Sequence, residues 1–204
     1  TINILKGVYE VQDIVFKKDI TIIGENDAIL KQKNDKQLNI TIMQGHSVII
    51  NNMSFDNIYE YDFIINGSTV GKDKGALSFN ECILGHNVNI NNINGFLYIN
   101  QSTVLCTLSG NIGTYVLDNN WWGTNEPNTF VQAHTDNWVT TEISTSLNKQ
   151  ATVGDVFTVN VDFINNKSHD IYPQRAVTMT SEQGEYSLYT GMLINNHFET
   201  TYSN

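Results

Sequence analysis

The chain has 204 residues, enough for one elongated domain or two small ones. Hydrophobic residues make up 40% and charged residues 16%, below the usual quarter, and asparagine fills the gap at about one residue in seven. Net charge is −10 at pH 7, with a single arginine (Arg175) and no Lys or Arg between Gly75 and Asn148, which excludes the basic stripe of a nucleic-acid binder and the polybasic patch that an anionic membrane attracts.

The first residues, "TINILKGVYEV", lack the basic-then-apolar order of a signal peptide, and no apolar run nears the ~18 residues of a bilayer span. No membrane insertion by this fragment is expected. "ITIIG" (Ile20–Gly24) and "LNITIMQ" (Leu38–Gln44) are β-branched-rich strands ending in turn residues. A repeat then emerges. "VIINNMSF" (Val48–Phe55), "LSFNECIL" (Leu77–Leu84), "LYINQSTV" (Leu97–Val104) and "YVLDNNWW" (Tyr115–Trp122) share one pattern: apolar, any, apolar, Asn or Asp, then Asn, Glu or Gln, and later a large apolar residue. Their starts lie 29, 20 and 18 residues apart, which is solenoid spacing. "NVNINNI" (Asn87–Ile93) is a further alternating strand, and Asn57–Gly75 is the longer excursion that explains the widest gap.

Each unit reads as a short strand with one face inward, then a corner. Asn51, Asn80, Asn100 and Asp118 are the expected corner residues, because Asn and Asp tolerate the left-handed region. One coil apart, they are expected to bond as a ladder. A single coil cannot bury its own face, so neighbours must stack about 4.8 Å apart. The pattern predicts an all-β chain: a parallel β-helix of five or six coils over residues 1–126, then a linker over 127–136.

In "DNNWWG", Trp122 falls in the slot of Phe55, Leu84 and Val104, while Trp121 falls with Ser54, Ile83 and Thr103. Trp122 is expected to plug the end of the core. Trp121 is expected to cover the seam where Gly123 and the following turn lead away. Residues 137–204 hold longer alternating strands, including "ATVGDVFTVNVDF" (Ala151–Phe163). They predict a C-terminal Ig-like β-sandwich, shorter than the ~100 residues of a full domain of that kind.

"GVYEVQDIVFKKDITIIGENDAIL" and "SVIINNMSFDN" are similar to phrases of pectin-lyase-like right-handed β-helices. The closer resemblance is to the adhesin-like surface proteins of methanogenic archaea. In these, Asn-rich coils end in a phrase like Asn119–Gly123 with Asn125 and Pro127. A strand like Asn137–Val139 follows, then a segment like Val153–Asp155 with Val161–Phe163. The resemblance implies an extracellular, cell-surface protein that attaches to the glycans or surfaces of other cells. "HFETTYSN" stops in mid-pattern, so further domains of the same chain are expected.

Parallel β-helices also carry polysaccharide lyases and hydrolases, so fold alone assigns no activity. A lyase needs a basic residue and a cage of acids, and a hydrolase needs two carboxylates about 5–5.5 or 6.5–9.5 Å apart. Residues 1–126 hold no arginine and no Asp-Asp pair. Asp56, Glu60, Asp62 and Asp118 read as turn acids facing water rather than a Ca²⁺ site, and His46, His86, His134, His169 and His197 lack zinc spacing. No catalytic residue, metal ligand or cofactor is assigned. The polysaccharide-active enzyme is the alternative function, with a purely structural stalk beside it. Tyr59, Tyr61 and Phe63 read as a half-buried strand before a sugar-stacking face. Cys82 and Cys106 read as buried thiols before a disulfide. N-x-S/T sequons stand at Asn39, Asn52, Asn66, Asn100 and Asn166.

Overall fold

The computed structural model describes residues 1–204 apart from 26, 68–73, 111–112, 148–149, 166–174, 183 and 204. The chain winds in coils. The first carries β1 (Ile2–Ile4), β2 (Gly7–Val11) and β3 (Ile14–Phe16), and the second carries β4 (Ile20–Gly24), β5 (Ala28–Gln32) and β6 (Leu38–Ile42). The third carries β7 (Ser47–Asn51) and β8 (Tyr61–Asn66), and the fourth β9 (Ala76–Asn80), β10 (Ile83–Leu84) and β11 (Val88–Ile93). The fifth carries β12 (Phe96–Asn100), β13 (Thr103–Val104) and β14 (Thr107–Ser109), and the sixth β15 (Thr114–Val116) and α1 (Thr129–Gln132).

Strands of successive coils pair in parallel. One sheet runs β1-β4-β7-β9-β12-β15 and another β14-β11-β8-β6-β3. The chain is thus all-β with stacked parallel sheets, an arrangement compatible with a β-helix. The repeat read from sequence is the register itself. Val48 pairs with Leu77, Leu77 with Leu97, and Leu97 with Tyr115. Ser54, Ile83, Thr103 and Trp121 form the next column round the coil.

Alternation dictates what goes inside. In β7, β9 and β12 every second residue is buried, so Val48 and Ile50, Leu77 and Phe79, and Leu97 and Ile99 stack as two inward columns. The opposite sheet answers with Ile40, Phe63 and Ile90, all 2% exposed or less. Phe55, Tyr61, Phe63 and Phe79 meet edge-on at 5.1–6.1 Å between ring centroids in the middle of this core. Tyr61 and Phe63 are therefore core residues, and the Tyr61 hydroxyl donates to the Leu30 carbonyl at 2.6 Å. Tyr59 packs, partly buried, against the same core.

A polar plug continues one inward column. Met53, Cys82, Ser102 and Asn120 are all buried at the same turn of successive coils. The Cys82 amide donates to Ser102 Oγ at 3.0 Å, and the Ser102 amide donates to Asn120 Oδ1 at 2.9 Å. Asn120 Nδ2 donates to the carbonyls of Ile99 and Leu117, so this side chain is satisfied at both ends. Both cysteines are free. Burial pushes each thiol up to about 12.

Parallel stacking runs past the boundary expected at residue 126. The Leu117 amide donates to the His134 carbonyl and the Asn119 amide to the Asn137 carbonyl, and Asn120 bridges in parallel to Trp138. Within the segment expected as a linker, residues 127–136, lies α1, capped by Asn128 and packed through Phe130 onto Tyr115 at 5.0 Å. The chain then enters β16 (Thr140–Thr145) without a break in pairing, because Val139 donates to Asn120 on one side of that step and Thr140 pairs with Ile164 after it.

The rest is antiparallel. β16, β17 (Val156–Ile164), β21 (His197–Ser203) and β19 (Glu185–Tyr186) form a sheet in the order β16-β17-β21-β19, while β18 (Ala176–Thr178) pairs with β20 (Thr190–Met192). A second, smaller core gathers Val139, Val161, Phe163, Leu193 and Phe198, with Trp121, Val177 and Met179 packed on it.

Candidate functional site

The six-stranded sheet turns its odd columns outward. One column is Ser47, Ala76, Phe96 and Thr114. The next is Thr21, Ile49, Ser78, Tyr98 and Val116. The third holds Asn3, Ile23, Asn51, Asn80 and Asn100. Between the second and third columns runs a groove of about 380 Å³, lined by Ile49, Ser78, Tyr98 and Val116 on one side and by Asn80, Asn100, Asp118 and Asn119 on the other. It follows the stack axis, crossing rungs about 4.8 Å apart.

Tyr98 and Val116 are 38% and 40% exposed. The Phe96 ring stacks on Tyr98 at 6.3 Å and 20°, and Lys74 Nζ sits over Phe96 at 5.0 Å from its centroid. Tyr98 is thereby held flat-sided against a neighbour instead of rotating freely. The small Ser78 beside it leaves the hollow.

The amide wall bonds in two separate rungs, Asn51 with Asn80 and Asn100 with Asn119, and its geometry corrects two expectations. Asn80 Nδ2 donates to Asn51 Oδ1 at 2.9 Å. Yet Asn51, Asn80 and Asn100 stay extended within their strands, and the left-handed residue is the next one: Asn52 (φ 53°), Glu81 (φ 54°), Gln101 (φ 49°) and Asn119 (φ 60°). Asn51, Asn80 and Asn100 remain extended because their backbones pair within the sheet, so the corner begins one position later, and Asn119 stands at that later position. Asp118, second, is not the ladder's next rung. Asn119 Nδ2 donates to Asn100 Oδ1 at 3.0 Å, because a carboxylate has no N–H to offer that oxygen. Asp118 instead accepts from the Thr135 hydroxyl and the Asp136 amide, both at 2.8 Å.

The ladder then leaves the parallel stack. Asn119 Oδ1 accepts from Asn137 Nδ2 at 2.8 Å and from Asn165 Nδ2 at 3.1 Å, and Asn137 Nδ2 also donates to Asn165 Oδ1. One rung uses only part of an amide's two N–H groups and two lone-pair sites, so Asn80 and Asn100 keep capacity for a ligand in the groove. Asn119, Asn137, Asn165 and the aromatic pair Phe96–Tyr98 are the residues that reading the sequence missed. Tyr98 occupies the "any" slot of the repeat, and that slot's outward direction was the available signal.

Trp121 and Trp122 part company. Trp121 packs on Phe163 at 5.1 Å in the smaller core, and Trp122 packs, partly buried, on the larger one. Gly123 (φ +75°) turns the chain away, and a side chain there would also meet Leu105 Cδ2 at 2.7 Å. Asn125, just beyond, accepts from the Thr141 amide and receives Trp138 Nε1 on its carbonyl. This departure removes the rung that would have paired below β14. It leaves a cleft of about 810 Å³ between β14 and α1, walled by Leu105, Leu108, Trp122 and Phe130. That cleft is larger than the groove but carries no amide row.

The remaining candidates are dispersed. Asp62 accepts from Asn89 and Asp56 pairs with Arg175 at 3.0 Å. No three of His, Cys, Asp and Glu converge among the described residues. Among the sequon residues, Asn39 donates to Asp13, Asn52 to the Gly24 carbonyl, Asn66 is partly buried in β8 and Asn100 is a ladder rung. Asn166 and His169 lie outside the described residues. Compared with protein-family models, curated proteins and solved structures, the chain matches none.

Proposed function

We propose that this chain is a non-catalytic, adhesin-like attachment piece of an extracellular surface protein. In this reading a right-handed parallel β-helix presents the groove to glycans or to the surface of another cell. The antiparallel part, an Ig-like sandwich module, joins it to further domains of the same chain. The observation that carries the reading is the outward groove with an aromatic side chain on one wall and a row of amides on the other. Aromatic faces stack on the C–H faces of sugars, and amides exchange hydrogen bonds with hydroxyls. Among the described residues, Asp118 is the one carboxylate in the lining. Glycoside cleavage takes two, so the groove is suited to holding a chain rather than cutting it.

The test is binding of the chain to a glycan array and to polysaccharide-coated surfaces, alongside an assay for released sugar. Retention without release is expected, and Tyr98→Ala should weaken it. Release of reducing or unsaturated sugar that Asp118→Asn abolishes would overturn the reading in favour of an enzyme.

A further inference from the structure

We infer that the groove selects an uncharged, unbranched polysaccharide whose sugars present flat C–H faces; this rests on the reading of the groove as a glycan site. Charge makes the first argument. Among the described residues the lining offers one group charged at neutral pH, the Asp118 carboxylate, and otherwise hydroxyl, amide, aromatic and aliphatic side chains. No Lys or Arg occurs from Gly75 to Asn148, which covers three of the four rungs that line it. Lys74 is held over Phe96, on the column beyond Tyr98. A uronate polymer carries a negative charge on every sugar. Bound here, it would lie against Asp118 and beside the exposed Glu81, with no guanidinium or ammonium among the described lining residues to receive its carboxylates.

Shape makes the second argument. The groove runs along the stack, so a ligand meets an amide at successive rungs, Asn80, Asn100 and Asn119, faced in turn by Ser78, Tyr98 and Val116. An extended chain of like units matches that periodicity, whereas a compact ligand would use one rung. On the aromatic side the surface is flat, since Tyr98 is stacked against Phe96 at 20°. A pyranose with equatorial linkages lays an unbroken C–H face on such a ring. Its hydroxyls then point sideways towards the amide row.

The experiment compares cellohexaose with a galacturonate hexamer by titration calorimetry on the full chain, in low and moderate salt. Cellohexaose is expected to bind, with affinity indifferent to salt, and the uronate hexamer at least tenfold more weakly. Tyr98→Ala should lower cellohexaose affinity at least tenfold. Val116→Lys, an exposed position in the lining, should raise uronate affinity at least tenfold while its melting temperature stays that of the parent. Equal or tighter binding of the uronate hexamer by the parent would overturn the inference and leave the groove a glycan site. Failure of both hexamers to bind, with folded protein, would overturn the glycan reading itself and the inference with it.

Discussion

The Trp121 indole lies 5.1 Å from the Phe163 ring, at 41°, and so belongs to the smaller core, while its neighbour Trp122 belongs to the larger. Adjacent residues on an extended chain point to opposite sides, and here the two sides are two different cores. The pair therefore works as a rivet between the parallel stack and the antiparallel sheet. Removing either ring should act on a different part of the molecule. A core Trp→Ala change costs roughly 3–5 kcal/mol, and partial exposure puts both at the low end, about 3 kcal/mol. Urea unfolding followed by hydrogen exchange is the measurement. Trp121→Ala should release protection first in β17 and β21, and Trp122→Ala first in β13 and β15. Identical exchange patterns would show that the two cores unfold as one.

Glu81 and Gln101 stand at φ 54° and 49°, a region that costs an L-residue about 1–2 kcal/mol. Glycine and asparagine relieve that cost. Glu81→Gly and Gln101→Asn should each raise stability by up to about 1 kcal/mol, read as a higher denaturation midpoint. Asn80→Gly, one residue earlier and extended, should lower it. The opposite order would mean that the corner lies at the ladder residue after all.

Asn119 joins Asn100 above it to Asn137 and Asn165 below. Asn119→Gly keeps the left-handed backbone and removes only the amide, so its cost isolates the ladder: about 1–2 kcal/mol. Asn119→Asp is expected to be worse than glycine, because it sets a carboxylate oxygen against Asn100 Oδ1, acceptor against acceptor, where glycine only vacates the place. A thermal melt of the two variants side by side decides the ranking.

Asn120 holds the Ser102 amide and the carbonyls of Ile99 and Leu117 in a fully buried site. Asn120→Leu, close in volume, strands those groups at roughly 1–3 kcal/mol each, without strict additivity. A loss of at least about 3 kcal/mol is expected in chemical denaturation. A neutral result would mean that water enters the column and replaces the amide.

The Cys82 thiol, fully buried, is pushed from about 9 in the unfolded chain to about 12. Between those values the unfolded state has released a proton that the folded state keeps. Stability from this group is therefore complete below pH 9 and falls as pH rises, by about 1.4 kcal/mol per pH unit. Cys106, raised in the same way, adds its own share, so urea midpoints measured from pH 8 to 10.5 should fall more steeply than one thiol gives, and Cys82→Ala should remove the Cys82 share of the slope and leave that of Cys106. The same burial should leave Cys82 unreactive to iodoacetamide in the native protein and reactive in urea.

The repeat fixed much of this in advance. Val48, Leu77, Leu97 and Tyr115 could be aligned by eye, and the strands pair in that register, because inward positions of stacked coils must all be apolar and therefore look alike. That Asn51, Asn80 and Asn100 share a column followed from the same argument. Sequence also determined the net charge of −10 and the cation-free stretch that bounds any ligand of the groove. What it left undecided depended on direction and distance. The left-handed residue could be either of two polar neighbours, and only backbone pairing selects the second. Asp118 and Asn119 are both ladder-like in composition, and the choice fell to the residue with an N–H to donate. Tyr98 filled a slot that tolerates any residue, and its role came from Phe96 beside it and Ser78 on the neighbouring rung, contacts that exist only once the coils stack. The end of the stack was the least legible feature. Asn137 and Trp138 lack the apolar-x-apolar signature, and they continue the parallel rungs through backbone hydrogen bonds, which any sequence can make.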